Sequence, residues 1–143
     1  MNNIAKFDVI ISGLGPVGAV TANLLAQYGL TVAVFERDFE IYNLGPRAIA
    51  IDAEAMIVFG MMGLDDWLDS HVVKPCIGVR TGVPPNGVTL LSVKPERHSL
   101  YGHQRIAFFN QPCLEKTLRD NLEQYSNVKV YLGHERIVER IFE

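Results

Sequence analysis

Residues 13–18 of this 143-residue chain are Gly13-Leu14-Gly15-Pro16-Val17-Gly18, a glycine-rich turn. An apolar run over residues 7–11 precedes the turn and predicts a buried parallel strand. The residues after the turn predict a helix, because apolar side chains recur at helical spacing: Val17, Val20, Leu24 and Tyr28. A second apolar run over residues 31–35 predicts another strand, and Glu36 follows it. Strand, glycine turn, helix, strand and acid together are typical of a dinucleotide-binding unit.

Each position of this motif has a physical role if a dinucleotide binds. Gly13 permits the tight turn, Gly15 lets a pyrophosphate approach the backbone, and Gly18 allows the helix to pack closely on the strand. Pro16 suits a first helical turn because it has no N–H to lose there. The pyrophosphate would face free amides at the positive end of the helix, and Glu36 would accept hydrogen bonds from a ribose diol. The alternatives are a glycine-rich loop without a ligand and an ordinary solvated charge at Glu36.

The composition limits the classes of protein that need to be considered. A chain of 143 residues, 48% hydrophobic and 20% charged, indicates about one globular domain. The net charge of −3, with scattered basic residues, argues against a nucleic-acid surface. No apolar stretch approaches the roughly 20 residues of a membrane span, and the start of the chain does not resemble a secretory leader. We therefore expect a cytoplasmic protein, with Cys76 and Cys113 as free thiols.

The middle of the chain predicts a helix and then a change of period. The helix is expected from Ala50 to about Met62, where Gly63 ends it, and residues 64–68 form a short amphipathic turn. An antiparallel β excursion is expected over about residues 76–109. Its β segments are residues 77–80, 88–93 and 105–108, with a polar loop over 93–104.

The last third predicts one more helix and a return to parallel strands. Gln111 and Pro112 begin the helix, whose apolar stripe is Leu114, Leu118, Leu122 and Tyr125. Residues 128–132 predict a third parallel strand, and residues 137–142 begin another. We expect the end of the chain to cut through an element.

Several segments, in this order, resemble one family. They are residues 8–18, Glu36-Arg37, residues 46–48 (Pro-Arg-Ala), residues 52–54 (Asp-Ala-Glu), and residues 111–115 with 118–119. The chain resembles the FAD-dependent aromatic hydroxylases, flavoprotein monooxygenases related to para-hydroxybenzoate hydroxylase, and most of all the 3-(3-hydroxyphenyl)propionate hydroxylase type. The resemblance covers nearly the whole chain, but only the N-terminal part of such an enzyme.

The resemblance implies an α/β, Rossmann-like FAD-binding fold with a parallel sheet, flanking helices and an antiparallel β excursion, incomplete at the C-terminus. Residues 1–143 would be the N-terminal part of an FAD-binding domain. Within it, residues 1–37 would be the βαβ nucleotide unit, about 76–109 the excursion, and 110–143 the final helix and strands.

The resemblance also implies roles for individual residues in binding FAD. Gly13, Gly15 and Gly18 would hold the pyrophosphate, with Pro16 between them, and Glu36 would hold the adenosine ribose.

Four further residues receive roles in the same way. Arg37 would lie near the adenine, Arg47 would reach toward the phosphates and the ribityl chain, and Gln111 would bond the polar chain of the flavin. The backbone around Arg136 would contact the adenine. The alternatives are a surface arginine at Arg47 and a polar helix-start residue at Gln111.

The activity implied is hydroxylation of a small phenolic or aromatic substrate with O2, with NADPH or NADH reducing the FAD. A homodimer is a further expectation. No catalytic side chain can be assigned, and the four histidines show no metal-ligand spacing. The later Asp-Gly and Gly-Asp motifs of the family do not occur in this sequence, so we expect the chain alone to be inactive. A Rossmann domain of an NAD(P)-dependent oxidoreductase and a non-catalytic nucleotide-binding module are the alternatives.

Overall fold

The computed structural model describes residues 5–41, 47–71, 73–75, 79–83, 87–94 and 102–135. In chain order the elements are β1 (Val9–Ser12), α1 (Pro16–Gln27), β2 (Val32–Glu36), β3 (Ala50–Asp52), α2 (Ala53–Met61), α3 (Asp65–His71), β4 (Val73–Pro75), β5 (Val79–Val83), β6 (Val88–Val93), β7 (Ile106–Phe108), α4 (Gln111–Leu122) and β8 (Val128–Leu132). The chain divides into two compact units, one of residues 1–45 with 112–143 and the other of residues 46–111.

The first unit contains a parallel sheet in the order β1-β2-β8. Val32 is the Cα partner of Val9 on one side and of Val128 on the other. Because β2 is central, Val32, Ala33 and Val34 are all fully buried. The three strands expected from their apolar runs are therefore present, and all pair in parallel.

Helix α1 approaches the sheet closely, and this decides which of its residues are buried. A Cβ atom on Gly18 would collide with the carbonyl oxygen of Gly13, so glycine is required there by packing. The buried face consists of Ala19, Ala22, Asn23 and Ala26. The predicted apolar face is wrong at its ends, since Val17 is 80% and Tyr28 77% exposed. Small side chains form the contact because a larger one would hold the helix away from the strands.

A buried asparagine joins α1 to α4. The Asn23 amide donates to the carbonyl oxygens of Ala19 (2.8 Å) and Leu118 (2.9 Å). Its own oxygen accepts from Nδ2 of Asn121 at 2.8 Å. Leu114, Leu118 and Leu122 of α4 are buried, as predicted, whereas Tyr125, the fourth residue of the predicted stripe, lies beyond the end of the helix and is half-buried. The two helices are thus joined by polar bonds through Asn23.

In the second unit the predicted helix from Ala50 begins three residues late. Residues 50–52 instead form β3, in which Asp52 pairs with Ile106 of β7. The Asp52 carboxylate then caps α2 by accepting from the Ala55 amide at 2.9 Å. Residues 65–71 form a helix where only a turn was expected. The strand displaces the helix because β7, far along the chain, supplies its hydrogen-bond partners.

The expected β excursion forms two separate sheets in this unit. Strands β5 and β6 make an antiparallel hairpin at the first two predicted β segments. Strand β7 pairs with β3 and β4. Cys113 is in no disulfide bond with any described residue. Three predicted features lie outside the described residues: Cys76, most of the 93–104 loop, and the strand at 137–142. None of the helices described is long and apolar enough to cross a membrane.

Candidate nucleotide-binding site

The glycine turn connects the end of β1 to the start of α1. The Gly13 amide donates to the Phe35 carbonyl of β2 at 2.7 Å, and its φ of +97° lies in the left-handed region that favours glycine. The Gly15 carbonyl accepts the Ala19 amide at 2.9 Å, which starts the hydrogen bonding of α1. Pro16 occupies the beginning of the helix, as predicted from sequence.

Gly15 is not explained by the folding of the chain. Its φ of −73° and ψ of −174° are open to any residue, and a Cβ atom built there meets no atom within 4 Å. Gly13 and Gly18, in contrast, are required by conformation and by packing. The open space at Gly15 lies at the N-terminus of a 12-residue helix that has no side-chain cap and no acid in its first turn. An anionic group fits this position, because the first amides of a helix lack partners within it.

Glu36 is bonded directly to the turn. Its Oε2 accepts from the Leu14 amide at 2.7 Å, and its Oε1 accepts from the Asp38 amide at 3.0 Å. Burial disfavours the charged carboxylate, but these two amides and the positive charge of Arg119 outweigh it and hold the pKa of Glu36 below its ordinary value. Glu36 is therefore an anion at neutral pH. Each oxygen has a second lone pair, so the carboxylate can also accept a ribose hydroxyl.

The residues after β8 close one side of this region. The His134 amide donates to the Glu36 carbonyl at 2.9 Å. Phe35 and Tyr131 stack with ring centroids 4.9 Å apart, and the His134 ring meets both edge-on. These contacts join the carboxyl ends of β2 and β8, where Glu36 lies.

Arginines occupy two different environments near Glu36. Arg37 is exposed, with its Nε 3.5 Å from the Asp38 carboxylate. Arg119 of α4 lines a groove of about 490 Å³ together with Phe39, Ile41 and Leu132. Its Nε is buried and has no hydrogen-bond partner among the described residues. Arg119 belongs to a segment quoted for the resemblance, but no role in the site was predicted for it, because nothing in the spacing of α4 relates it to Glu36.

The second unit brings together two residues selected separately from the sequence. The side-chain oxygen of Gln111 accepts from the backbone amides of Arg47 at 2.9 Å and Ala48 at 2.8 Å. Gln111 is buried and Arg47 is exposed. Gln111 therefore supports the backbone that carries Arg47. Arg136 lies outside the described residues, and within those described no three His, Cys, Asp or Glu side chains cluster as a metal site would require.

The FAD binding domain family matches residues 6–140 of this chain. The chain belongs to that family. FAD is therefore its cofactor. The glycine turn and Glu36 lie within the matched residues. The resemblance noted in the sequence is confirmed.

Curated relatives of this FAD-binding domain are longer proteins. The chain is 37% identical over 134 residues to a 3-(3-hydroxy-phenyl)propionate/3-hydroxycinnamic acid hydroxylase of Burkholderia cenocepacia, covering 94% of the chain and 24% of the relative. A protein of the same name from Comamonas testosteroni is 37% identical over 128 residues, covering 90% of the chain and 21% of the relative. The chain thus spans about a quarter of the length of these relatives.

A solved structure gives the same fold. The p-nitrophenol 4-monooxygenase of Pseudomonas putida matches with a TM-score of 0.70 at 22% identity, over 87% of this chain and 31% of that one. At this level of identity the match establishes the fold of the FAD-binding domain alone, which is the Rossmann-like α/β arrangement expected from the sequence.

Proposed function

We propose that the chain binds the ADP moiety of FAD at the β1–α1 turn and that it does so as part of a flavin-dependent aromatic hydroxylase. The observation that carries this proposal is the space at Gly15. Neither the backbone conformation nor any neighbouring atom of the chain requires glycine there, whereas a pyrophosphate lying against the backbone does.

Different residues of the first unit would bind different parts of the ADP moiety. The pyrophosphate would lie against Gly13, Gly15 and Gly18, where the free amides and the dipole of α1 favour an anion. Pro16 would leave this approach unobstructed, because it sets the helical φ without adding a donor. Glu36 would accept from the ribose hydroxyls while it keeps its bond to the Leu14 amide.

The remaining roles rest on the resemblance to the family. Arg37 would lie near the adenine, and the backbone around Arg136 would contact the same ring. Arg47 would reach the phosphates and the ribityl chain. Gln111 would bond the polar chain of the flavin, and the bonds from its oxygen to the Arg47 and Ala48 amides support a joint role for the pair.

In the whole enzyme we propose hydroxylation of a small aromatic, phenolic substrate with O2 and with NADPH or NADH as reductant. The flavin supplies the redox chemistry when it is bound. The described residues bind and orient the cofactor, and none of them is assigned an acid–base role. We also propose a cytoplasmic location, because the reaction depends on a nicotinamide reductant. The exposed Ile10 on the outer strand β1 supports a homodimer.

Titration of the 15N-labelled chain with FAD, followed by amide NMR and calorimetry, tests the cofactor assignment. Gly15→Val places a branched side chain where the pyrophosphate would lie, so we expect at least roughly a tenfold loss of affinity. The fold should be retained, because the backbone conformation at Gly15 is open to any residue and a Cβ atom there meets no described atom within 4 Å. Gly60→Ala is the matched control, since the three atoms nearest to its added methyl belong to the carboxylate at the end of the Asp65 side chain, which can turn aside.

Equal FAD affinity in the wild type and Gly15→Val would overturn the proposal. The same titration with NAD and with ADP distinguishes the alternatives. Binding of NAD in preference to FAD would favour a nicotinamide-dependent Rossmann oxidoreductase, and binding of ADP alone would favour a non-catalytic module.

A further inference from the structure

An aromatic side chain of the segment after β2 lies against the turn that follows β8. The end of the Phe39 ring occupies the place where Gly133 would have a side chain, because a Cβ atom built on Gly133 would collide with Cζ and both Cε atoms of that ring. The rest of Phe39 faces solvent, and the residue is 75% exposed. The contact therefore joins the segment after β2 to the backbone of the turn after β8.

The turn after β8 is itself attached to β2 at Glu36. Leu132, the last residue of β8, is the Cα partner of Glu36 in the parallel pairing. The His134 amide donates to the Glu36 carbonyl at 2.9 Å, and the His134 Nδ1 lies 2.7 Å from the Leu132 carbonyl oxygen. Gly133 lies between these two residues. Its backbone therefore has a fixed position relative to Glu36, and Phe39 rests on that position.

The contact of Phe39 bears on the Glu36 side chain through the Asp38 amide. This amide, one residue before Phe39, donates to Oε1 of Glu36 at 3.0 Å. Arg37 and Asp38 are both exposed, and their side chains contact each other. The packing of Phe39 on Gly133 lies directly next to the amide that holds Glu36 in the sequence, and it limits the movement of that amide.

We propose that Phe39 is a positioning residue for Glu36. With its ring against Gly133, Phe39 holds the Asp38 amide on Oε1, while the Leu14 amide of the glycine turn holds Oε2. The carboxylate is then fixed from both sides before the cofactor binds, so less conformational freedom is lost on binding. The role in FAD affinity rests on the proposed function, whereas the hold on the amide follows from the contacts of the chain alone.

Amide hydrogen exchange of the 15N-labelled chain without cofactor tests this hold. Phe39→Ala should speed exchange of the Asp38 amide about fivefold or more, because the amide is more often separated from Glu36. The fold should be retained, since Phe39 is mostly exposed. Tyr28→Ala is the matched control, because it removes a 77% exposed aromatic ring at the end of α1. It should leave exchange at Asp38 unchanged.

The FAD affinity in a double-mutant cycle separates positioning from a general effect on the fold. Phe39→Ala alone should weaken binding about three- to tenfold in calorimetry. In a chain that already carries Glu36→Ala, it should change the dissociation constant less than about twofold, because no carboxylate remains to be positioned. A merely structural role would weaken binding equally in both chains. Phe39→Met, whose long unbranched side chain can also reach Gly133, should restore most of the affinity.

The outcomes are distinguishable. Unchanged exchange at Asp38 in Phe39→Ala would overturn the positioning role, as would equal losses of FAD affinity with and without Glu36, or a Phe39→Met chain that binds no better than Phe39→Ala. If Asp38 exchange accelerates as expected but the wild type does not bind FAD, the hold on Glu36 stands and the proposed function fails. If Phe39→Ala does not fold, nuclear Overhauser contacts between the Phe39 ring and the α protons of Gly133 in the wild type decide, and their absence would contradict the proposal.

Discussion

At the level of single residues, glycine occupies three positions of one turn for three different physical reasons. Gly13 has a left-handed φ, Gly18 lies too close to a carbonyl oxygen to carry a side chain, and Gly15 is required by neither. The motif in the sequence predicted all three positions but could not assign these causes, because φ angles and contacts are properties of the folded chain. Glu36 was likewise predicted as a ribose ligand, whereas its bond to the Leu14 amide was not.

Replacement of Glu36 tests the ribose contact. A carboxylate bonded to a ribose diol should contribute about 1.5–3 kcal/mol, as hydrogen bonds to charged groups do. Glu36→Ala should therefore weaken FAD binding roughly ten- to a hundredfold in calorimetry. Glu40→Ala removes an exposed acid nearby and should bind FAD like the wild type. An unchanged dissociation constant for FAD in Glu36→Ala would contradict the ribose contact and favour the alternative that Glu36 is an ordinary solvated charge.

The pH dependence of stability follows from the same carboxylate. Burial opposes the charge of Glu36, but hydrogen bonds and Arg119 lower its pKa in the folded chain. Its contribution is therefore complete above the unfolded pKa of about 4.3 and is lost as the pH falls through the lower folded value. Hydrogen bonds from Thr31 also lower the pKa of Asp8, with the same sign. The urea concentration at the unfolding midpoint should decrease as the pH is lowered below about 5, and it should decrease less steeply in Glu36→Gln than in the wild type. Equal dependence of the midpoint on pH in the two proteins would contradict this assignment.

At the level of helices and strands, the predicted elements are correct where local periodicity determines the structure. They are wrong where a hydrogen-bond partner distant in sequence determines it. The apolar stripe of α4 and the strands beside the glycine turn follow from spacing alone. Residues 50–52 satisfy a helical pattern as well, but their hydrogen bonds go to β7, more than fifty positions later. The Asp52 cap of α2 was a visible signal for the true helix start. The link between α1 and α4 through Asn23 has no such signal.

Removal of the Asn23 side chain should destabilise the first unit. Asn23→Ala leaves the Leu118 carbonyl and the Asn121 amide without their present partner in a buried position. We expect a loss of about 2–3 kcal/mol in the free energy of unfolding by urea. Asn121→Ala removes only one of these bonds and should cost about 1 kcal/mol. If the two variants were equally stable, the bond to Leu118 would not be what joins the helices.

At the scale of the whole molecule, the chain contains the nucleotide-binding elements of a flavoprotein but spans only 24% of a curated relative. Its two units are each held by their own sheets, β1-β2-β8 in one and β3-β7-β4 with the β5-β6 hairpin in the other. The family could be recognised from sequence because its motifs are local. The division into these units could not, since it depends on contacts between strands distant in sequence.

The 143-residue chain on its own should not hydroxylate an aromatic ring. The family's Asp-Gly and Gly-Asp motifs are not in its sequence, so water should reach the flavin and divert reducing equivalents to hydrogen peroxide. The assay is NADPH oxidation with 3-hydroxyphenylpropionate, with the product followed by chromatography. A heat-denatured sample with free FAD is the control. Hydroxylated product from the native chain would contradict the expectation.

The pairing of β2 also has a consequence for synthesis on the ribosome. Its partner β1 is made just before it, but β8 is made roughly 90 residues later, which at ordinary translation rates is on the order of 5–20 s. The side chain of Asn127 donates to the Leu30 carbonyl, 97 positions earlier, and so holds the start of β8 in place. Asn127 is synthesised equally late. During this interval one edge of β2, whose Val32, Ala33 and Val34 are fully buried in the folded chain, is open. A nascent chain should therefore depend on holding chaperones until β8 emerges, because an unpaired apolar edge is a template for aggregation.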